Sequence, residues 1–333
     1  MKRSIFLAAI ATLAAGSALA QSSVTVYGRL NMTAERFTAN KTTTYLLNNN
    51  ASRIGFKGVE DMGGGLKASF LIESGLSPDT GAASGTFWGR ESWVGLEGGF
   101  GKVRLGNMGP TNAYFTTADY ISMHNHDTGT SEDKLYLYPG RATNMIAYTS
   151  PNMGGLVVDA QLGLSENSQF GRTYVLTGNY DAGPLHIGAS YLQAGAGLSG
   201  TKTKEYGLRA IYEMGDLTFG AYYLRNEGNY SGLGLGFGNI KRDAIRGSVM
   251  YAMGPGEVHL NVGKAWGVKN NRLTAAANSA LIRNDDADQF TVGYNYNLSK
   301  RTKAYTYYTR VTDDARLYTG KYSTFALGVR HNF

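Results

Sequence analysis

The chain has no cysteine, only six prolines among 333 residues, and few charged side chains, 17% in all. Without cysteine there are no disulfides, no thiolate metal site and no cysteine nucleophile. Long hydrophobic runs are also missing. After the first twenty residues no apolar stretch approaches the ~18 residues of a membrane-crossing helix, and mean hydropathy is below zero. A helical membrane protein is excluded. What the chain does have is glycine (45), tyrosine (23) and a net charge of +7.

Residues 1–20 read as a cleavable export signal. Lys2 and Arg3 precede an apolar stretch from Ile5 to about Ala15, and Ala18-Leu19-Ala20 forms an A-x-A cleavage site. The apolar stretch is too short to span a bilayer, which takes about 20 residues. The expected mature chain is therefore 21–333, and losing Lys2 and Arg3 lowers its net charge to +5. An exported chain does not meet nucleic acid, so this mild basic excess bears on small anions or lipid head groups.

The mature sequence repeats one device of strand, turn, strand and loop. Phe290, Val292, Tyr294 and Tyr296 alternate with Thr291, Gly293, Asn295 and Asn297; Val258, Leu260 and Val262 alternate with His259, Asn261 and Gly263. The same period of two runs through 217–223 and 325–331. A soluble sandwich alternates too. Two features favour a barrel in a membrane instead. The polar face is rich in Gly, Asn, Thr and Arg, which suits a wet interior. Aromatics crowd the strand ends (Tyr212, Tyr222, Tyr223, Tyr251, Trp266, Tyr294, Tyr296, Tyr305, Tyr307 and Tyr308), as interfacial girdles do.

Connections alternate between short and long. Seven short turns lie at 60–65, 98–101, 150–155, 181–184, 213–216, 253–257 and 297–301. Eight longer ones lie near 38–50, 77–86, 108–140, 165–171, 195–204, 227–242, 268–287 and 312–321. Fifteen connections join sixteen strands, and an even count with all short turns on one side is the outer-membrane barrel plan. A closed barrel leaves no unpaired edge in lipid, and a ring of sixteen is wide enough for an aqueous channel. The longest connection, 108–140, calls for a functional role. It mixes Asp119, Asp127, Glu132, Asp133 and Lys134 with Tyr114, Phe115, Tyr120, Tyr136 and Tyr138.

Several ordered stretches resemble the general porins of Gram-negative outer membranes, of the betaproteobacterial type. They are 22–29 (SSVTVYGR), 52–65 (SRIGFKGVEDMGGG), 66–73 (LKASFLIE), 90–106 (RESWVGLEGGFGKVRLG), 143–155 (TNMIAYTSPNMGG), 298–304 (LSKRTKA) and 327–333 (LGVRHNF). The resemblance spans essentially the whole mature chain. It implies a homotrimer of 16-stranded antiparallel transmembrane β-barrels, each with its own pore, narrowed by a third loop folded into the lumen. It further implies that the terminal Phe333 is part of the signal read by the barrel assembly machinery.

The constriction candidates combine strand parity with that resemblance. Arg53 shares a face with Lys57, opposite Ile54 and Phe56. Arg90 opens the RESWVGL strand, and Arg141 follows the long loop. In similar porins, matching positions supply a ladder of wall arginines facing the inward loop. Glu73 has the parity of Lys67 and Ser69 and matches an acidic wall position of the family. A guanidinium stays charged at any physiological pH, and rings of charge set ion selectivity in pores. Asp119, Asp127, Glu132 and Asp133 are the opposing loop acids. Arg104, Arg209, Arg246 and Arg330 have lumenal parity and count as general lumen charge. The G-x-G-x-x-G at 195–200 has no helix after it, and His124-Asn-His126-Asp127 is not a metal motif on a helix, so neither a cofactor nor a metal is expected.

The expected function is an outer-membrane general diffusion pore for small hydrophilic solutes and ions, leaning toward anions and bedded in outer-membrane lipids. The alternative is a substrate-specific channel of the same fold for a small anion or sugar. An outer-membrane barrel enzyme is disfavoured, because such enzymes use narrower barrels, and no nucleophile elbow is present.

Overall fold

The computed structural model describes residues 23–108, 121, 130–137, 143–166, 171–195, 202–228, 240–270, 286–313 and 320–333. The expected leader, Asp119, Asp127 and Arg141 lie outside the described residues. The regular structure is a single sheet of β1 (Ser23–Ala39), β2 (Thr42–Asn49), β3 (Arg53–Gly63), β4 (Leu66–Ser77), β5 (Ala82–Ser84), β6 (Glu91–Gly98), β7 (Gly101–Asn107), β8 (Met145–Thr149), β9 (Leu156–Gly163), β10 (Thr173–Ala182), β11 (Leu185–Ala194), β12 (Thr203–Met214), β13 (Leu217–Gly228), β14 (Ile240–Met253), β15 (Gly256–Asn270), β16 (Ala287–Asn297), β17 (Thr302–Asp313) and β18 (Tyr322–Asn332).

These eighteen segments make sixteen staves. β2 and β3 lie in series against β1, the first along Met32–Ala39 and the second along Ser23–Arg29. β5 and β6 lie in series against β4. All neighbours are antiparallel, and β1 pairs with β18 from Arg29↔Asn332 to Ala39↔Tyr322, closing the ring. At the foot of the seam Gly28 and Phe333 exchange backbone hydrogen bonds of 3.0 and 3.1 Å. A Cβ on Gly28 would stand 2.4 Å from the Phe333 ring, so the terminal aromatic lies across a glycine that leaves room for it.

Burial inverts the pattern of a soluble protein. On β16, Phe290 and Val292 are 39% and 38% exposed, while Gln289 and Thr291 are 1% exposed. On β18, Phe325, Leu327 and Val329 point outward, whereas Thr324 and Ala326 are buried. An apolar exterior around a polar interior is the arrangement lipid requires. All seven short turns fall where the spacing predicts. The aromatic girdle is corrected at three places: Tyr222, Tyr305 and Tyr307 are 2–4% exposed and face inward. Their parity puts them on the polar face, where hydroxyls find partners; Tyr305 donates to Asn31 Oδ1 at 2.7 Å and Tyr307 to Glu35 Oε1 at 2.9 Å.

One expected long loop proves to be a hairpin. In place of a connection at 38–50, Asn40 and Lys41 form a two-residue turn with φ of 50° and 67°, the left-handed pair that tight hairpins use. The threonines beside it are β-branched and pair across the strands, Thr38 with Thr43 at 3.0 Å. The break in this stave comes later, at Ala51 (φ 53°). There the Arg29 guanidinium donates to the carbonyls of Asn50 and Ala51 at 3.4 and 3.2 Å.

Candidate pore constriction

On the polar face of β3, β4 and the start of β6, three predicted residues meet. Arg90 Nε lies 2.5 Å from Glu73 Oε1, and Arg53 Nη1 lies 3.8 Å from the same oxygen. The Tyr27 hydroxyl donates to Glu73 Oε2 at 2.9 Å. The backbone supports the group, since the Arg90 N–H donates to the Glu73 carbonyl at 3.2 Å. Lys57, four residues from Arg53 on the same face, holds its ammonium 5.2 Å from the Tyr27 ring centre. Both arginine side chains remain 22% exposed, and Lys57 is open to solvent. Two guanidiniums meet at this carboxylate.

Parity alone did not single out the neighbours of this cluster. Glu91 stands opposite Glu73 in the register and accepts the Trp93 indole N–H at 3.1 Å. Arg104, counted only as general lumen charge, is neutralised by Asp159 at 2.7 Å and lies 5.7 Å from the Trp93 ring centre. The E-x-W spacing was visible in the sequence. The opposition of Glu91 to Glu73 needs the register, which the sequence does not print.

The sequence comparisons identify the family. A family model described as Gram-negative porin matches residues 7–316. The chain belongs to the Gram-negative porin family. It is 35% identical over 324 residues to outer membrane porin protein 32 of Delftia acidovorans, an alignment covering 92% of this chain and 88% of the relative. It is 26% identical to an outer membrane porin of Bordetella pertussis over the full length of both. Among solved structures it is similar to the anion-selective porin from Comamonas acidovorans, with 26% identity, a TM-score of 0.74, and coverage of 94% of this chain and 100% of that one. The porin's place is the Gram-negative outer membrane.

A second part of the porin wall is covered. Residues 130–137 lie against the polar face of β1 and β13–β18. Thr130 Oγ1 donates to Glu35 Oε2 at 2.9 Å, and the Tyr322 hydroxyl donates to the Thr130 carbonyl at 2.7 Å. Gln289 forms a two-way clip: its Nε2 donates to the Glu132 carbonyl and its Oε1 accepts the Lys134 N–H, both at 2.8 Å. Asp133 Oδ1 accepts the Leu135 N–H at 2.9 Å and lies 3.2 Å from Arg246 Nη1. Its Oδ2 accepts the Tyr222 hydroxyl. Around these bonds Ile121, Leu135 and Tyr136 pack on Tyr222, Leu224, Ala244, Ala265 and Ala287.

This settles where the described loop acids point. Asp133, predicted to face the pore, is 3% exposed at its side chain and is held by Arg246. Glu132 is 37% exposed and pairs with Lys134. Phe333 belongs to the barrel seam and not to the pore.

Proposed function

We propose that this porin is a general diffusion channel that prefers small anions, with Arg53, Arg90, Lys57 and Arg141 as the cationic side of its constriction and Glu73 as the acid among them. The observation that carries the preference is the fate of the opposing acids. Asp133 and Glu132 each have a basic partner away from the open wall, while Arg53 and Arg90 converge on Glu73 with their side chains still 22% exposed. Charges beyond a Debye length of about 8 Å at physiological salt are largely screened, so the groups at the narrowest point decide. Similarity to a porin described as anion-selective supports the same reading.

The contacts of residues 130–137 support a third loop that folds into the lumen, with Asp119 and Asp127 as its remaining acids. Removal of residues 1–20, a homotrimeric assembly, and recognition of Phe333 by the barrel assembly machinery complete the reading. The chain acts as a passive pore and not as an enzyme. A substrate-specific channel is the second reading, favoured by no particular contact.

The test is the reversal potential of purified channels across a KCl gradient. Chloride preference, strongest at low salt, is expected; cation preference at low salt overturns the proposal and assigns the eyelet to Asp119 and Asp127. Gel mobility before and after boiling tests the trimer, and a monomer at all temperatures in mild detergent rejects it.

A further inference from the structure

The inward face of the barrel is not polar throughout. On the covered wall Tyr222, Leu224 and Ala265 point inward and are 0–2% exposed. They seat a segment of the chain itself, through Ile121, Leu135 and Tyr136.

The open wall carries a second apolar patch. Leu71 on β4 stands directly opposite Lys57 on β3 and Trp93 on β6. Its parity is that of Glu73, two residues on, so these three side chains face inward. Their strand neighbours Phe70 and Val94 point outward, 36% and 58% exposed. Tyr27 joins the patch from β1. It stands opposite Gly55, which stands opposite Glu73. A Cβ on Gly55 would lie 2.5 Å from Tyr27 Cζ, so the ring lies across β3, flat against the wall. Leu71 and Trp93 lie one row from Glu73 toward the short turns, which mark the periplasmic side.

Unlike the apolar side chains of the covered wall, Tyr27, Leu71 and Trp93 are all partly exposed. Two of them are also fixed in place. The Tyr27 hydroxyl is held by Glu73 at 2.9 Å. The Trp93 indole N–H is held by Glu91 at 3.1 Å, and its ring packs on Met108, Met145 and Ala147. Apolar area left in water is favourably covered by an apolar body, and rigid aromatic rings lose little freedom when stacked upon.

The rim says which body fits. The exposed Lys57 is in register with Leu71, and its ammonium lies 5.2 Å from the Tyr27 ring centre. Lys102 Nζ lies 4.7 Å from the Trp93 ring centre and 3.7 Å from Glu97. Opposed side chains in such a ladder have Cβ atoms about 4.5–5.5 Å apart. A ring resting on Leu71 therefore brings a carboxylate attached to it within reach of Lys57.

We propose that Tyr27, Leu71 and Trp93 form a stacking platform just periplasmic of the constriction, which with Lys57 selects small aromatic carboxylates over inorganic and aliphatic anions of the same charge. This rests on the anion preference proposed above. The platform is open to the lumen, so it biases a general channel without closing it to other solutes.

The test uses the full channel in planar bilayers at low KCl, with sodium benzoate, sodium acetate or benzamide added. Benzoate should reduce chloride current at a several-fold lower concentration than acetate, which has the charge without the ring, or benzamide, which has the ring without the charge. Leu71→Asn should bring benzoate to the level of acetate, and Leu71→Met should keep the difference. Lys57→Gln should bring benzoate toward benzamide. Unboiled gels show whether each variant barrel folds. A second readout needs no variant on the platform. The chain has three tryptophans, so Trp88→Phe/Trp266→Phe leaves Trp93 as the sole emitter, and its fluorescence should respond saturably to benzoate but not to acetate. Equal block by benzoate and acetate in the unmodified channel overturns the platform. So does a benzoate advantage that survives Leu71→Asn in a folded barrel, or Trp93 emission that ignores benzoate. A cation-preferring reversal potential in KCl alone overturns the parent reading instead, and the Trp93 response then judges the platform by itself.

Discussion

The open wall and the covered wall of this barrel use the same residue types for opposite ends. On β3–β6, Arg90 and Arg53 approach Glu73 at 2.5 and 3.8 Å, and all three side chains remain 12–22% exposed. On β13–β16, Arg246 holds Asp133 with side chains only 1% and 3% exposed. Contact with solvent screens the open cluster, so it contributes less to stability than a fully buried pair and leaves part of its field for solutes. The buried pair is a structural joint: losing one partner strands the other charge away from water. Where an arginine works therefore depends on whether residues 130–137 lie over it.

The largest expected effect comes from breaking that joint. Asp133→Leu should destabilise the covered wall by about 3–5 kcal/mol, the usual result of stranding a buried charge. The temperature at which the folded band disappears on unboiled gels should fall. Single-channel conductance should change as residues 130–137 lose their hold on Tyr222 and Arg246. Asp133→Leu/Arg246→Met removes both charges and should recover much of the loss, since apolar replacement of a buried pair is often neutral. If the double variant is as unstable as the single one, the pair is not the joint described here.

A smaller effect is expected from the floor beneath the same segment. A Cβ on Gly263 would stand 2.4 Å from Leu135 Cδ1 and 2.9 Å from the Ile245 carbonyl. Gly263→Val should therefore push residues 130–137 off the wall and lower stability by about 1–3 kcal/mol, the range for overpacking. Gly247 is the control. It faces outward on β14, and nothing lies closer than 4.0 Å to its Cβ position, so Gly247→Ala should leave both heat resistance and conductance unchanged. Equal effects at the two glycines contradict the covered-wall description.

The same contrast explains what the sequence could tell. Barrel class, strand number and the seven short turns follow from alternation and glycine-rich breaks, which are local. The open-wall residues Arg53, Lys57 and Glu73 were legible because parity decides which face a side chain takes. Asp133 was misjudged because loop acidity does not reveal a partner 113 positions along the chain, at Arg246. The hairpin at Asn40-Lys41 was missed because its turn carries no glycine or proline and its flanking residues are mostly Thr and Asn, which read as loop.

The smallest effects belong to the open wall and sharpen the comparison from its other side. Arg53→Gln/Arg90→Gln should move the reversal potential toward cations while lowering heat resistance less than Asp133→Leu does, because these side chains keep contact with solvent. Glu73→Gln is the finer probe. It removes the one carboxylate shared by both arginines but keeps an oxygen that can accept from Tyr27 and Arg90. If the arginines act by charge alone, chloride preference should rise. If instead Glu73 is needed to hold the guanidiniums at the pore, the preference should fall despite the added positive charge, and Glu73→Asp should fall with it because its shorter side chain cannot reach both. A rise is the expected outcome, since the Arg90 N–H bond to the Glu73 carbonyl and the fixed strand register keep the arginines in place without the carboxylate.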